Sequence, residues 1–384
     1  MKFEPAALRR GPMKIVITMD SFKGTISAAE ACEIVADVIA EYISDAQLSI
    51  KPMADGGEGS AEAMLKSASG QWVPVTVTGP LPDMQVQAGF AWFENTSTTL
   101  VEMAYASGLQ LLSPNQYNPM KTTTYGTGQL IKAALEYNPS KILLAVGGSA
   151  TVDGGIGAAT ALGWEFLDQE GIPVPPCGEG LVQIAKIAKP PEPISPAVEV
   201  LCDVTNPLCG DEGAAKIYAP QKGATPEMVD ELEKGLEHLA ELAKNQLSKD
   251  IDVPGAGAAG GLAAGAIAFM NATLVSGVKT IMNFCNLEAE LADADWIITG
   301  EGCFDRQSLY GKVVAGVAET AAKSNTPIAV IAGQVDLPEA EYHRIGIRTA
   351  IACKPENMSL DEALKNSRAL LRSAAKKFVK QNLT

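Results

Sequence analysis

Lys14-Ile-Val-Ile-Thr-Met19 is a short, β-branched apolar run that reads as a strand, and Ser27-Ala-Ala-Glu30 behind it has the spacing of a capping box opening a helix toward Tyr42. Leu48 to Met53 repeats the strand signal, and Asp55-Gly-Gly-Glu-Gly59 then leads into a second helix over Ala61 to Ser67. Strands separated by helices are parallel strands, because a parallel connection needs a long crossover and an antiparallel one does not. The last third of the chain returns to the same alternation. Strands are expected over Asp295 to Thr299, Pro327 to Ala332 and Arg348 to Cys353, with helices over Gly311 to Ser324, Pro338 to Ile345 and Leu360 to Gln381. The simplest arrangement is a doubly wound α/β sheet built from both termini.

The middle of the chain differs. Trp72 to Thr78, Gln85 to Phe93 and Thr98 to Met103 read as strands joined by Gly-Pro and Asn turns, with no helix between them long enough for a parallel crossover. An inserted α/β domain with a mixed sheet is therefore expected at 76–284, inside a discontinuous domain of 13–75 and 285–384, with 1–12 a leader outside the fold. Lys141 to Val146 is a further buried strand, and Gly171 to Pro196 a proline-rich surface excursion. Pro226 to Leu247 is a long amphipathic helix with one solvated face. Val253 to Val278 carries no charge, but it is mostly Gly and Ala, starts on Pro254-Gly255 and contains Asn271. It is expected as a tightly packed buried helix and not as a membrane span.

The 384 residues carry 30 Lys and Arg against 45 Asp and Glu, a net charge of −15, with no basic run, so nucleic-acid binding is excluded. An anionic ligand would be repelled by the global field and needs local lysines, backbone amides or a metal ion. The seven cysteines, Cys32, Cys177, Cys202, Cys209, Cys285, Cys303 and Cys353, form no Cys-x-x-Cys pair. They read as reduced thiols of a cytoplasmic protein. His238 and His343 lie in charged helical stretches away from every glycine-rich loop, which argues against histidine acid–base chemistry.

Ligands of parallel sheets bind beyond the C-terminal ends of the strands. Those ends carry Asp20-Ser-Phe-Lys-Gly24, Asp55-Gly-Gly-Glu-Gly59, Gly300-Glu-Gly-Cys-Phe-Asp305 and Gly333-Gln334. The inserted segment adds Gly147-Gly-Ser149, Asp153-Gly-Gly155, Asp203-Val-Thr-Asn206, Pro220-Gln-Lys-Gly223 and Pro254-Gly-Ala-Gly-Ala-Ala-Gly-Gly261. Glycines admit phosphate oxygens to backbone amides, Asp and Asn can hold Mg²⁺, and Lys neutralises transferring charge: these are the parts of a phosphoryl-transfer site. Gly255-x-Gly257-x-x-Gly260 matches a dinucleotide fingerprint, but no acidic residue occurs between Asp252 and Glu288 to hold a ribose hydroxyl. A P-loop is excluded too, since Val313 follows Gly311-Lys312 and Arg306 stands in place of the first glycine. Asp203 and Asn206 fit an Asx-turn before Pro207 equally well.

Taken in order with Ile298-Thr-Gly-Glu-Gly-Cys-Phe-Asp-Arg-Gln-Ser308, these motifs resemble those of the bacterial glycerate kinases that lack a P-loop, over a stretch from about Met13 to the C-terminal helix. The resemblance implies a flavodoxin-like domain formed by both chain ends plus the insertion. It also implies ATP-dependent phosphorylation of D-glycerate with Mg²⁺, and its bacterial members point to the 2-hydroxyl. Two positions depart from the family pattern: Met19 where proline is usual, and Val152 where asparagine is usual.

On that footing Asp203 is expected as the base, with Lys23 and Asp305 completing the catalytic set. Asp20, Ser21, Lys23, Ser149, Asn206 and Lys222 are expected to hold substrate. Gly56, Gly57, Gly255, Gly257, Gly260, Gly261, Gly300 and Gly302 are expected to cradle ATP, and Asp55, Asp153, Glu301 and Asp305 to face Mg²⁺. A metal-dependent phosphatase would use the same acidic strand ends but need no acceptor. A non-catalytic sugar-acid-binding regulator would leave the phosphate-type loops unexplained.

Overall fold

A computed structural model describes residues 11–309 and 311–384, so residues 1–10 of the expected leader lie outside the described residues. The described residues divide into two compact units, one reaching to residue 54 and resuming at 282–384, the other of residues 55–281.

In the first unit, five strands pair in parallel: Gln47–Ile50, Lys14–Ile17, Trp296–Thr299, Ile328–Ala332 and Ile347–Ala352, in that spatial order. In chain order this is 2-1-3-4-5, the doubly wound order of flavodoxin-like folds. Both faces are covered, as a parallel sheet requires. Ile15, Ile17, Ile298 and Ile331 pack with Phe378 and Val35 on one side, from the helices Ser367–Asn382 and Ala28–Tyr42. The alternating residues Val16, Ile297 and Val330 are buried on the other. Ser27 caps Ala28–Tyr42, its hydroxyl accepting the Glu30 N–H at 3.3 Å. The expected helix Leu360 to Gln381 is broken at Asn366 into Leu360–Lys365 and Ser367–Asn382. The strand order reverses between Lys14–Ile17 and Trp296–Thr299, the place where such sheets bind ligands.

The second unit holds a six-stranded mixed sheet. Thr273–Val275, Ala197–Leu201, Lys141–Ala145 and Thr98–Glu102 run parallel, and Gln85–Phe93 and Gln71–Thr78 then follow antiparallel. The unit begins at Asp55, some twenty residues before the boundary expected at 75. The helix Ser60–Ser67 covers Thr98–Glu102 and Gln85–Phe93 instead of leading to a parallel strand of the first sheet. Glu102 fixes this choice: its carboxylate accepts the Gly59 N–H at 2.8 Å and the Ala61 N–H at 3.1 Å at the helix start.

The charge-free stretch is not one helix. Ala258–Met270 ends at Asn271 in the left-handed region, Thr273–Val275 is an edge strand, and Gly277–Phe284 starts a new helix. Its small residues serve close packing: a Cβ on Gly265 would lie 2.5 Å from the Gly154 carbonyl oxygen. No helix of the described residues is long and apolar enough to cross a membrane. The proline-rich excursion is only partly surface. Val174, Leu181, Ile184 and Ile187 are buried with Leu232, Leu236 and Leu239 of the helix Pro226–Leu247.

Candidate active site

Four parallel strands of the second unit end at one edge, at Glu102, Gly147-Gly148-Ser149, Asp203 and Ser276-Gly277. Asp203 accepts the Gly277 N–H on Oδ1 and the Val278 N–H on Oδ2, both at 3.1 Å, where the helix Gly277–Phe284 presents its unpaired amides. The Asp55 loop lies against this point, since a Cβ on Gly277 would stand 2.3 Å from the Asp55 carbonyl oxygen. Burial raises the Asp203 carboxyl above its ordinary value, and the Asp55 charge raises it further against the amides that lower it. Asp55 Oδ1 accepts the Gly57 N–H at 3.0 Å. Gly56, at φ +86°, sits where a Cβ would be 2.7 Å from Leu201 Cβ, and a Cβ on Gly147 would be 2.5 Å from Gly57 Cα. These loops therefore pack backbone on backbone, which glycine alone permits.

Beside them, Lys222 Nζ donates to Ser149 Oγ and to the Thr151 carbonyl oxygen, each at 2.7 Å. Lys222 is only 2 % exposed and Ser149 8 %. Burial pulls the Lys222 amine down to about 7, opposed by the Asp153 charge.

Several expected site residues have other work. Asp153 is wholly buried, its Oδ2 accepting the Thr124 N–H and hydroxyl at 2.8 Å and its Oδ1 the Gly155 N–H at 3.0 Å. It ties two loops together. Asn206 donates from Nδ2 to the Glu212 carbonyl and accepts the Tyr218 hydroxyl on Oδ1 at 2.6 Å, so its side chain organises its own loop. The Gly255 and Gly257 amides donate to the Asn206 carbonyl and the Gly261 amide to the Gly257 carbonyl. Those three amides donate within the loop itself. Gly260 packs on the Thr151 backbone.

In the first unit, the structure brings together Asp20, Ser21, Lys23, Gly300 and Gly302. The Asp20 N–H donates to the Gly300 carbonyl at 2.9 Å, and a Cβ on Gly302 would stand 3.7 Å from the Lys23 nitrogen. Asp20 Oδ1 accepts the Ser21 N–H at 2.6 Å, and Lys23 is exposed. Glu301 is buried with Lys312 Nζ 3.8 Å from its carboxylate. Asp305 Oδ1 accepts the Gln307 and Ser308 N–H groups, closing the turn Arg306–Leu309. Among the described residues, no three His, Cys, Asp or Glu side chains gather to hold a metal ion.

The sequence reading passed over Glu102, Ser276, Gly277 and Lys312. Glu102 had a signal, a single acid in the otherwise uncharged run Thr98 to Met103. Its burial pushes the carboxyl up to about 7. Folded Glu102 thus keeps its proton to about pH 7, whereas the unfolded chain releases it near the ordinary carboxylate value. Its contribution to stability is complete in acid and is lost as pH rises through 7. Urea midpoints measured from pH 5 to 8 should therefore fall more steeply for the wild type than for Glu102→Gln. Parallel slopes would assign the dependence to other groups.

The profile of the glycerate kinase family matches residues 15–382. The chain belongs to the glycerate kinase family. A glycerate kinase of Halalkalibacterium halodurans is 41% identical over 94% of this chain and 96% of its own length. A glycerate 2-kinase of Escherichia coli is 41% identical over 92% of this chain and 94% of its own. A crystal structure assigned as a glycerate kinase 2 of Salmonella typhimurium LT2 superposes with a TM-score of 0.83 at 40% identity, covering 97% of this chain and 98% of that one. Membership makes the chain an enzyme, a phosphotransferase with an alcohol group as acceptor.

Proposed function

We propose that the protein transfers the γ-phosphoryl group of ATP to the 2-hydroxyl of D-glycerate, with Mg²⁺, in the cytoplasm. The observation that carries this reading is that the charges of Asp55 and Asp203 act on each other at the sheet edge, and that the neighbouring strand leads into Ser149, whose hydroxyl a buried Lys222 amine contacts. The two acids fit Mg²⁺ better than an ion held by protein alone. Mg²⁺ takes oxygen ligands and binds through one or two carboxylates together with substrate phosphates. Asp55 and Asp203 would hold it, and bound there it would neutralise charge on the transferring phosphoryl group. The seven free thiols support a reducing compartment. The Escherichia coli relative, a glycerate 2-kinase, supports the 2-position.

Coupled ADP release should depend on D-glycerate. Phosphorus NMR of the product should show a doublet, because a 2-phosphate is attached to a carbon bearing one hydrogen. A triplet would move the ester to the 3-position. ADP or phosphate release that D-glycerate does not increase would remove the kinase reading and favour a phosphatase.

A further inference from the structure

Phosphoryl transfer to an alcohol has to take away the hydroxyl proton. Asp203 is poorly placed to receive it. Both of its oxygens already accept backbone N–H groups at a helix start, and a proton taken there would compete with that pairing, although burial and the Asp55 charge raise the group. Lys222 and Ser149 differ. Lys222 closes the turn Pro220–Lys222, and Gly223 follows at φ +90°, where a Cβ would be 2.7 Å from the Tyr117 carbonyl oxygen. The turn delivers Nζ to two neutral acceptors, Ser149 Oγ and the Thr151 carbonyl.

The charged group facing Lys222 from the 147–155 loop is Asp153, whose oxygens are taken by Thr124 and Gly155. The glycine segment 254–261 carries no charge, and Lys216 on the preceding helix is exposed and paired with Asp211. A buried amine with neutral partners and no carboxylate in contact loses its proton readily. The pull of burial to about 7 agrees with that geometry.

We propose that Ser149 and Lys222 together accept the proton of the attacking glycerate hydroxyl, Ser149 Oγ relaying it and Lys222 Nζ keeping it. This rests on the kinase reading above. The hydroxyl proton passes to Ser149 Oγ as the proton of Oγ passes to uncharged Lys222, whose –NH₂ becomes –NH₃⁺. The electron pair of the hydroxyl oxygen forms the new O–P bond, and the bond from the γ-phosphorus to its bridging oxygen breaks, its pair leaving on ADP. Lys222 ends as a cation beside the new phosphate ester and returns its proton to water after release. Its bond to the Thr151 carbonyl holds Nζ against Ser149 in both protonation states.

The sign of the pH profile tests the pair. If uncharged Lys222 is needed, kcat/KM rises with pH through about 7 and then levels. Lys222→Arg and Ser149→Ala should each lower kcat by about 10²–10⁴-fold, the range of general acid–base catalysis, with ATP binding by calorimetry retained. Ethylamine and its homologues should restore Lys222→Ala in the order of their basicity, which a merely structural lysine would not allow. In ¹³C spectra of lysine ε-carbons, one signal should titrate near pH 7 and be missing from Lys222→Arg.

A folded Lys222→Ala that no amine restores overturns the proposal. So does a rate that falls as pH rises through 7, which would make Lys222 an anion seat. A wild type without glycerate-dependent ADP release overturns the kinase reading and the proposal with it. An active wild type with the falling limb overturns the pair alone.

Discussion

Asp55→Asn should lower the kcat of glycerate-dependent ADP release by about 10²–10⁴-fold, the several kcal/mol that a metal-held charge supplies to a phosphoryl-transfer barrier. The substitution is clean in structural terms. Asp55 Oδ1 accepts the Gly57 N–H, and an asparagine keeps that bond on its own Oδ1. What it removes is one negative charge beside Asp203. The Asp203 carboxyl should then titrate lower, because the Asp55 charge is one of the causes that raise it. Asp203→Asn is less clean: its carboxylate accepts two N–H groups, and an amide can accept only one while turning its own N–H₂ toward the other. That leaves a donor facing a donor and costs about 1–3 kcal/mol of stability. If both acids face one ion, the double variant should lose less than the two single losses multiplied, since the first removal already weakens the shared ligand. Kinetics at saturating and limiting Mg²⁺, with melting curves for each variant, measure this. An Asp55→Asn enzyme with wild-type kcat and wild-type Mg²⁺ dependence would leave Asp55 only its turn.

What the chain reveals of itself follows from the range of the interactions. Lys14-Ile-Val-Ile and Ser27-Ala-Ala-Glu30 are local signals, β-branched apolar density and a cap, and both appear as strand and capped helix. The return of strand and helix after Asp295 is equally local, and with it the doubly wound sheet from two chain ends is legible. The start of the second unit at Asp55 is not local. It depends on Glu102, more than forty residues away, taking the Gly59 and Ala61 amides. The candidate site divides the same way. Acids and glycines at strand ends are visible as residue types, but their partners are not. Nothing in Asp153-Gly-Gly155 tells a metal-facing acid from one saturated by Thr124 and Gly155. Lys222 and Ser149, 73 residues apart, meet only because the sheet edge gathers their loops. The glycines between Pro254 and Gly261 show most plainly how one residue type serves two ends. The freedom that lets a backbone approach phosphate also lets it approach another backbone, and the contacts of Gly257 and Gly260 are of the second kind.

Gly260→Ala puts that second use to the test, and it should destabilise the protein by about 2–5 kcal/mol. Residues Ala259, Gly260 and Gly261 form a left-handed turn, with φ of 55°, 65° and 87°. Each residue with a Cβ costs roughly 1–2 kcal/mol in that conformation, so Ala259 already carries strain and a second alanine adds to it. A Cβ on Gly260 would also lie 2.0 Å from the Thr151 carbonyl oxygen and 2.7 Å from Val152 Cα, so backbone has to move. Overpacking of that kind costs about 1–3 kcal/mol. The shift would strain the bond from the Gly154 N–H to the Gly260 carbonyl, 3.1 Å in the intact loop. Gly171→Ala separates the two contributions, because Gly171 has φ +81° with nothing within 4 Å of its Cβ position. It should cost about 1–2 kcal/mol, the conformational part alone. In thermal melts Gly260→Ala should unfold well below Gly171→Ala, and the loss should persist without nucleotide. Moving the Thr151 carbonyl also displaces the second acceptor of Lys222, so turnover should fall with stability. A Gly260→Ala protein that melts like Gly171→Ala but shows a raised KM for ATP would return this glycine to the phosphate cradle.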